Sequence, residues 1–281
     1  MSTVFSRVRA VFVLTSLLVL GVWLAPHRLI PVAAADATEI DIVGHIGGAS
    51  LTVDVQGDYA YVGEGTQLTI LDVSDPSAPV VAGKSPVFLD VVQGVTVEGN
   101  LAYVTLGYEG LAILDVTDPA APIIVGTLAM PQYTHARDIV VAGNYAYVTD
   151  RGDGLLLIID IANPAAPSHA GSTDLQSDVR GLAVAGSYAY VIASDNLVLI
   201  DVTDPEQPSV AGEYETYDWW SSEAEDMAVA GGYAYIMTSS KSFVVLDLTD
   251  PESPTMVGTA DLPQYSMEIT VAGGTAYQRH R

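Results

Sequence analysis

A four-residue phrase, Tyr-Ala-Tyr-Val and its close variants, starts at Tyr59, Leu101, Tyr145, Tyr188 and Tyr233, and a degenerate Thr275-Ala276-Tyr277 follows. The steps between these starts are 42, 44, 43, 45 and 42 residues. A period near 43 means that one supersecondary unit has been copied in tandem, which restricts the fold more than any single residue does.

Each copy divides into four strand-length pieces. An apolar-alternating run such as Asp138-Ile-Val-Val-Ala142 comes first, followed by a Gly-led pair: Gly57-Asp58, Gly99-Asn100, Gly143-Asn144, Gly186-Ser187, Gly231-Gly232 and Gly273-Gly274. Glycine at the first central position suits a type II′ hairpin turn, because it takes the required positive φ cheaply. The Tyr phrase is the second strand, with its aromatics on one side of a sheet. The third strands are Leu68–Asp72, Leu111–Asp115, Leu156–Asp160, Leu197–Asp201 and Phe243–Asp247, and their unbroken apolar character predicts burial on both faces. An Asp/Asn-Pro turn leads to a short fourth strand expected to end in Gly83, Gly126, Gly171, Gly212 or Gly258. Four antiparallel strands in about 43 residues, repeated around a ring, define an all-β, β-propeller pattern. No helical periodicity runs through the copies, and a β-helix has shorter turns.

The third strands with their turns, as in Asp115-Val-Thr-Asp-Pro119 and Asp201-Val-Thr-Asp-Pro205, resemble the LVIVD repeat of bacterial and archaeal surface proteins. The resemblance extends over about residues 40 to 277 and implies export and a propeller. It brings no catalytic residues with it. Other propeller repeats fit less well, since no Trp-Asp pair ends a strand.

Five repeats are complete. Ile40–Ile46 aligns with a fourth strand such as Ile123–Thr127, while the sixth copy has only its first two strands before Gln278–Arg281. The expectation is an incomplete sixth blade that shares the N-terminal strand, in a shortened version of a ring-closing protein. An open arc that dimerises through its free edge is the alternative, and the sequence leaves the oligomeric state open.

Residues 1 to 35 read as a secretory leader: Arg7 and Arg9, an apolar run Val11–Ala25, and small residues Ala33–Ala35 before Asp36. An uncleaved anchor is the competing reading, although the run is short for a span of about 20 residues. Either way residues 36 to 281, the propeller domain, are expected to be extracellular or at the cell surface, with no membrane insertion of the mature chain. Removing Arg7, Arg9 and Arg28, which lie in the leader without an acid, leaves 34 acidic residues against 7 basic ones, a net charge of −27. Such a surface repels nucleic acid and anionic lipid. The absence of cysteine excludes disulfides, thiolate metal sites and Cys nucleophiles.

The repeated Asp72, Asp115, Asp160, Asp201 and Asp247 fall one per blade at the tight-turn end, so they are spread around the ring and read as turn-capping acids. Calcium wants 6 to 8 converging oxygens; this spacing leaves it a possibility without a ligand set, and no other cofactor is implied. Variable loops are the better place to look. Near the start of the first strands lie His135, Arg137 and Asp138, then Asp178 and Arg180, then Glu223, Glu225 and Asp226, then Tyr265 and Glu268. They border the expected channel mouth, either as blade-to-blade ion pairs between the two arginines and their acidic neighbours or as a polar pocket for a ligand. His135 has the chemistry of an acid or base, but no placed nucleophile accompanies it. The longest connection, Glu213–Asp226, packs Tyr214, Tyr217, Trp219 and Trp220 among carboxylates. Exposed, these rings suit sugar stacking or a protein partner; buried, they fill a seam between blades. Arg151-Gly152-Asp153 is explained by a Gly/Asp turn.

The function expected is a non-catalytic binding or interaction module at the cell surface, whose partner is a surface protein or a carbohydrate. The alternative is an extracellular hydrolase or lyase with its site at the channel mouth.

Overall fold

The structure is a computed structural model that describes residues 50–130, 134–150, 152–194, 196–215, 224–238, 242–262, 266–272 and 275–280. The leader and the Ile40–Ile46 strand proposed from sequence lie outside these residues.

Five four-stranded antiparallel sheets and one hairpin follow in chain order. Blade one is β1 Ser50–Gln56, β2 Tyr59–Glu64, β3 Gln67–Asp72 and β4 Val80–Lys84. Blade two is β5 Gly94–Glu98, β6 Leu101–Thr105, β7 Leu111–Asp115 and β8 Ile123–Leu128. Blade three is β9 Ala136–Ala142, β10 Tyr145–Asp150, β11 Leu155–Asp160 and β12 Ser168–Asp174. Blade four is β13 Val179–Ala185, β14 Tyr188–Ala193, β15 Asn196–Asp201 and β16 Ser209–Glu215. Blade five is β17 Ala224–Ala230, β18 Tyr233–Thr238, β19 Ser242–Asp247 and β20 Thr255–Asp261. The sixth copy contributes β21 Ser266–Ala272 and β22 Thr275–His280. Each sheet is ordered 1-2-3-4, and the first strands of neighbouring blades stand side by side. Among the described residues no strand pairing joins blade one to the β21–β22 hairpin.

The hairpin turns follow the glycines. Gly57, Gly99, Gly143 and Gly186 have φ near +60°, and the residue after each does not, as type II′ requires. At Gly231-Gly232 both residues have positive φ, the primed alternative.

The core is a series of seams between blades. In β7, Leu111 and Ile113 face blade three, while Ala112 and Leu114 face blade one. In β11, Leu156 and Ile158 face blade four, while Leu157 and Ile159 face blade two. The third strand thus supplies apolar side chains to two seams at once, which is why it carries no polar alternation. In the Tyr phrases the large ring faces the following blade and the small alanine the preceding one. Tyr103 and Ala102 lie in different seams, as do Tyr147 and Ala146.

One expectation needs correcting. The fourth strands do not end at their glycines; β12 and β16 run three residues past Gly171 and Gly212. The glycine instead follows a β-bulge in every blade, for example between the Ile113–Gly126 and Leu114–Ile124 pairs. It lies against the Asp/Asn-Pro turn of the next blade. A Cβ on Gly126 would lie 2.0 Å from the Pro164 carbonyl oxygen, and one on Gly83 or Gly171 would lie 2.3 Å from that of Pro119 or Pro205. These extended glycines allow two backbones to touch.

Candidate binding face

The tight turns gather at one end of the blades. There the Asp72, Asp115, Asp160, Asp201 and Asp247 side chains each accept the amide N–H two residues on, at 2.8 to 2.9 Å. Asp75, Asp118, Asn163, Asp204 and Asp250 do the same in the Pro turns. Bonds from the Ser74, Thr117, Thr203 and Thr249 hydroxyls, with the amides, hold Asp72, Asp115, Asp201 and Asp247 below the usual carboxylate range. This end is committed to shaping turns.

The opposite end carries the fourth-to-first and second-to-third connections. The first strands enter it through a second set of bulges. Arg180 is the extra residue between the Val179–Ala193 and Gly181–Ile192 pairs, and Glu225 is the extra residue between Ala224–Thr238 and Asp226–Met237. Arg137 and Asp138 together oppose Thr149. Leu51 holds the same place in blade one. A bulge turns a side chain out of the pleat, so this rim is where the repeat is free to vary.

Several of the rim acids bond to backbone amides. Asp226 Oδ2 accepts the Ile269 amide at 2.8 Å, in the next unit's first strand. In blade one Thr52, Asp54 and Gln56, on one side of β1, accept the amides of Val95 and Val97 in β5 and of Gly99 in the turn after it. Arg180 Nε pairs with Asp178 Oδ2 at 3.4 Å, two residues apart. Asp138 Oδ1 accepts the Ile139 amide. These blade-to-blade links run from a carboxylate, hydroxyl or amide side chain to a backbone amide. Among the described residues no three His, Asp or Glu side chains gather as a metal cage. Tyr217, Trp219, Trp220 and Tyr265 lie outside the described residues, and Glu268 is described only as part of β21.

His135 is the candidate with new neighbours. Its amide donates to Asp150 Oδ1 at 2.6 Å, and the fully buried Asp150 also accepts the Gly152 and Asp153 amides. The next amide, Ala136, donates to the Gly107 carbonyl of blade two at 3.0 Å. The His135 ring meets Tyr108 at right angles, with centroids 4.8 Å apart. Asp90 closes the group: its Oδ1 accepts the Val91 amide and its Oδ2 the Tyr108 amide. Sequence reasoning missed Asp90, Tyr108 and Asp150, since it compared equivalent positions of the first strands and these lie elsewhere. The glycines bracketing Tyr108-Glu109 were the available signal. On the loops of this end Val87, Leu89 and Tyr108 are 70%, 87% and 68% exposed.

Four-stranded antiparallel blades placed side by side by their first strands, with turns at one end and variable loops at the other, make this protein a β-propeller. The LVIVD-repeat family model matches residues 47–85, 91–129, 134–174, 176–216 and 221–261, most of the chain. The protein belongs to the LVIVD-repeat family. No curated protein matches the sequence. Among solved structures, the periplasmic gluconolactonase PpgL of Pseudomonas aeruginosa is similar at 14% identity and TM-score 0.67, over 82% of this chain and 77% of its own. A protein from Lactobacillus plantarum has 13% identity and TM-score 0.67, over 80% of this chain and 74% of its own. The Cps50 (Swd1) β-propeller domain of Myceliophteria thermophila has 14% identity and TM-score 0.63, over 81% and 78%. At these identities the likeness is one of fold alone.

Proposed function

We propose that this propeller is an exported, non-catalytic binding module that holds a surface protein or a carbohydrate on its variable-loop face. The observation that carries the reading is the contrast between the two kinds of side chain there. The acids whose partners are known, Asp54, Asp90, Asp150 and Asp226, are engaged with backbone amides. The apolar Val87, Leu89 and Tyr108 are exposed among the described residues. Exposed apolar side chains grouped on a loop face favour a partner over chemistry.

The test is a screen of the secreted chain against arrayed glycans and surface proteins, beside a Trp219→Ala/Trp220→Ala variant. Saturable binding that is lost when Leu89 or Tyr108 is replaced supports the reading. Turnover of a lactone or polysaccharide, abolished by His135→Ala, would replace it with the hydrolase or lyase alternative.

A further inference from the structure

We propose that the surface made by Tyr108, His135 and Asp90, beside Gly107, is a subsite for a neutral pyranose unit of a glycan. The proposal rests on the variable-loop face being a binding face, and names the ligand class and the residues.

The site is built before any ligand arrives. The β6–β7 loop closes on itself through Leu106 N–H to Gly110 O at 2.8 Å and Glu109 N–H to Leu106 O at 2.9 Å. Gly107 and Gly110 take positive φ of 52° and 96°, which sets the tight loop with Tyr108 at its tip. Asp90 from the blade one–two connection holds the Tyr108 amide, and Ala136 of blade three holds the Gly107 carbonyl. Contacts from the neighbouring blades therefore fix the loop that carries Tyr108, whose side chain stays exposed.

Polar groups converge beside it. The point where a Cβ of Gly107 would sit is 2.6 Å from Asp90 Oδ2 and 3.5 Å from His135 Nε2. Only a glycine fits there, because the Asp90 carboxylate takes the space of a side chain. Two more polar atoms are buried next to one another in the sequence: Thr134 Oγ1, on a residue 1% exposed, and His135 Nδ1, each without a hydrogen-bond partner. Both atoms are closed to solvent, so the groups open to a sugar are Tyr108, Asp90 and His135 Nε2.

A pyranose matches this arrangement. Its C–H face packs on an aromatic face, whose electron density attracts the polarised hydrogens. Its hydroxyls both donate and accept, fitting an acceptor-only carboxylate beside an imidazole that carries one donor and one acceptor. A cation is a poorer fit, because both Asp90 oxygens already accept amides and no third acid joins them. An acidic sugar meets Asp90 and the strongly negative chain.

The experiment titrates the full secreted chain with the methyl glycosides of glucose, galactose, mannose and N-acetylglucosamine, and with glucuronate, by calorimetry and ligand-observed NMR. Expected is binding of at least one neutral glycoside, about tenfold weaker in Tyr108→Ala and kept in Tyr108→Phe. His135→Gln, which keeps a polar side chain but not the ring, is expected to bind several-fold more weakly. Circular dichroism shows whether each variant is folded; Tyr108 is exposed, so its variants report on binding. Unchanged affinity in folded Tyr108→Ala, glucuronate binding as tightly as the neutral glycosides, or no binding of any glycoside overturns the proposal. A loss that follows Trp219→Ala/Trp220→Ala alone overturns the subsite while leaving the binding-face reading standing. A protein partner captured by the face with no sugar binding does the same.

Discussion

Asp226 Oδ2 accepts the amide N–H of Ile269 at 2.8 Å, across a separation of 43 residues, one repeat length. Thr52 makes the equivalent bond to Val95 in blade one, also 43 residues on. Neighbouring first strands face each other across a seam where side chains, and not a backbone ladder, carry the polar contacts. The bond ties two units together. Asp226→Ala leaves the Ile269 amide without its acceptor at a cost of about 1–3 kcal/mol. Faster hydrogen exchange at Ile269 than at β6 amides, with a lowered melting temperature, is the expected result; unchanged exchange there contradicts it.

Gly126 and Gly143 are predicted to respond differently to alanine. At Gly143 the φ of +61° is the obstacle and nothing lies within 4 Å of the added carbon, so the cost is about 1–2 kcal/mol of backbone strain. At Gly126 the added carbon meets the Pro164 carbonyl, and blades two and three must separate. Gly126→Ala is expected to destabilise more, by several kcal/mol or about 3. Denaturant melts of the two variants, with equal losses as the contrary result, decide between them.

Ile113 is fully buried in the seam between blades two and three. Ile113→Ala should cost about 2–5 kcal/mol. Ile123→Ala, on the exposed start of β8, should stay within about 0.5 kcal/mol. Chemical denaturation of both variants checks the ranking.

The turn acids set an acid limb. Asp72, Asp115, Asp201 and Asp247 are held below 3.8 by hydroxyl and amide bonds. A carboxylate whose folded value is depressed contributes stability above its unfolded value, and loses it as pH falls through the folded one. Melting temperature should therefore drop as pH falls below about 4. In Thr117→Val/Thr203→Val/Thr249→Val the same curve should be shallower, meeting wild type at low pH and lying beneath it at neutral pH. Parallel curves would be the adverse result.

The buried phenols set an alkaline limb. Burial holds Tyr61, Tyr103, Tyr147 and Tyr190 above 10.0. A raised folded value gives stability that is present below the unfolded value and is lost as pH rises through the folded one. Phenolate absorbance should show a late phase coinciding with loss of β-structure by circular dichroism. Non-cooperative ionisation of all 15 tyrosines in the folded protein would be inconsistent with their burial.

The turns were legible because their signals are local. Gly57 and Asp72 meet conformational demands within two or three residues, and both behave in the structure as the sequence predicts. The fourth-strand glycines misled because their partners lie in the next blade: nothing near Gly126 in sequence announces Pro164. Asp90, Tyr108 and His135 were separable only as individuals, since 18 residues divide the first two and 27 the next.

The period of 43, the alternation within each copy and the doubly apolar third strand determined by themselves that this protein is a propeller of four-stranded antiparallel blades. Each of these patterns answers to burial and turn geometry inside one repeat, and burial is written in residue type. Only the tertiary structure decided which residues meet across a seam. Whether Asp226 faces a ligand or the Ile269 amide depends on how two copies are juxtaposed, and whether Tyr108, His135 and Asp90 meet depends on three. A hydrogen bond is made over about 3 Å of space, and residue spacing within one repeat carries no information about distances across a seam.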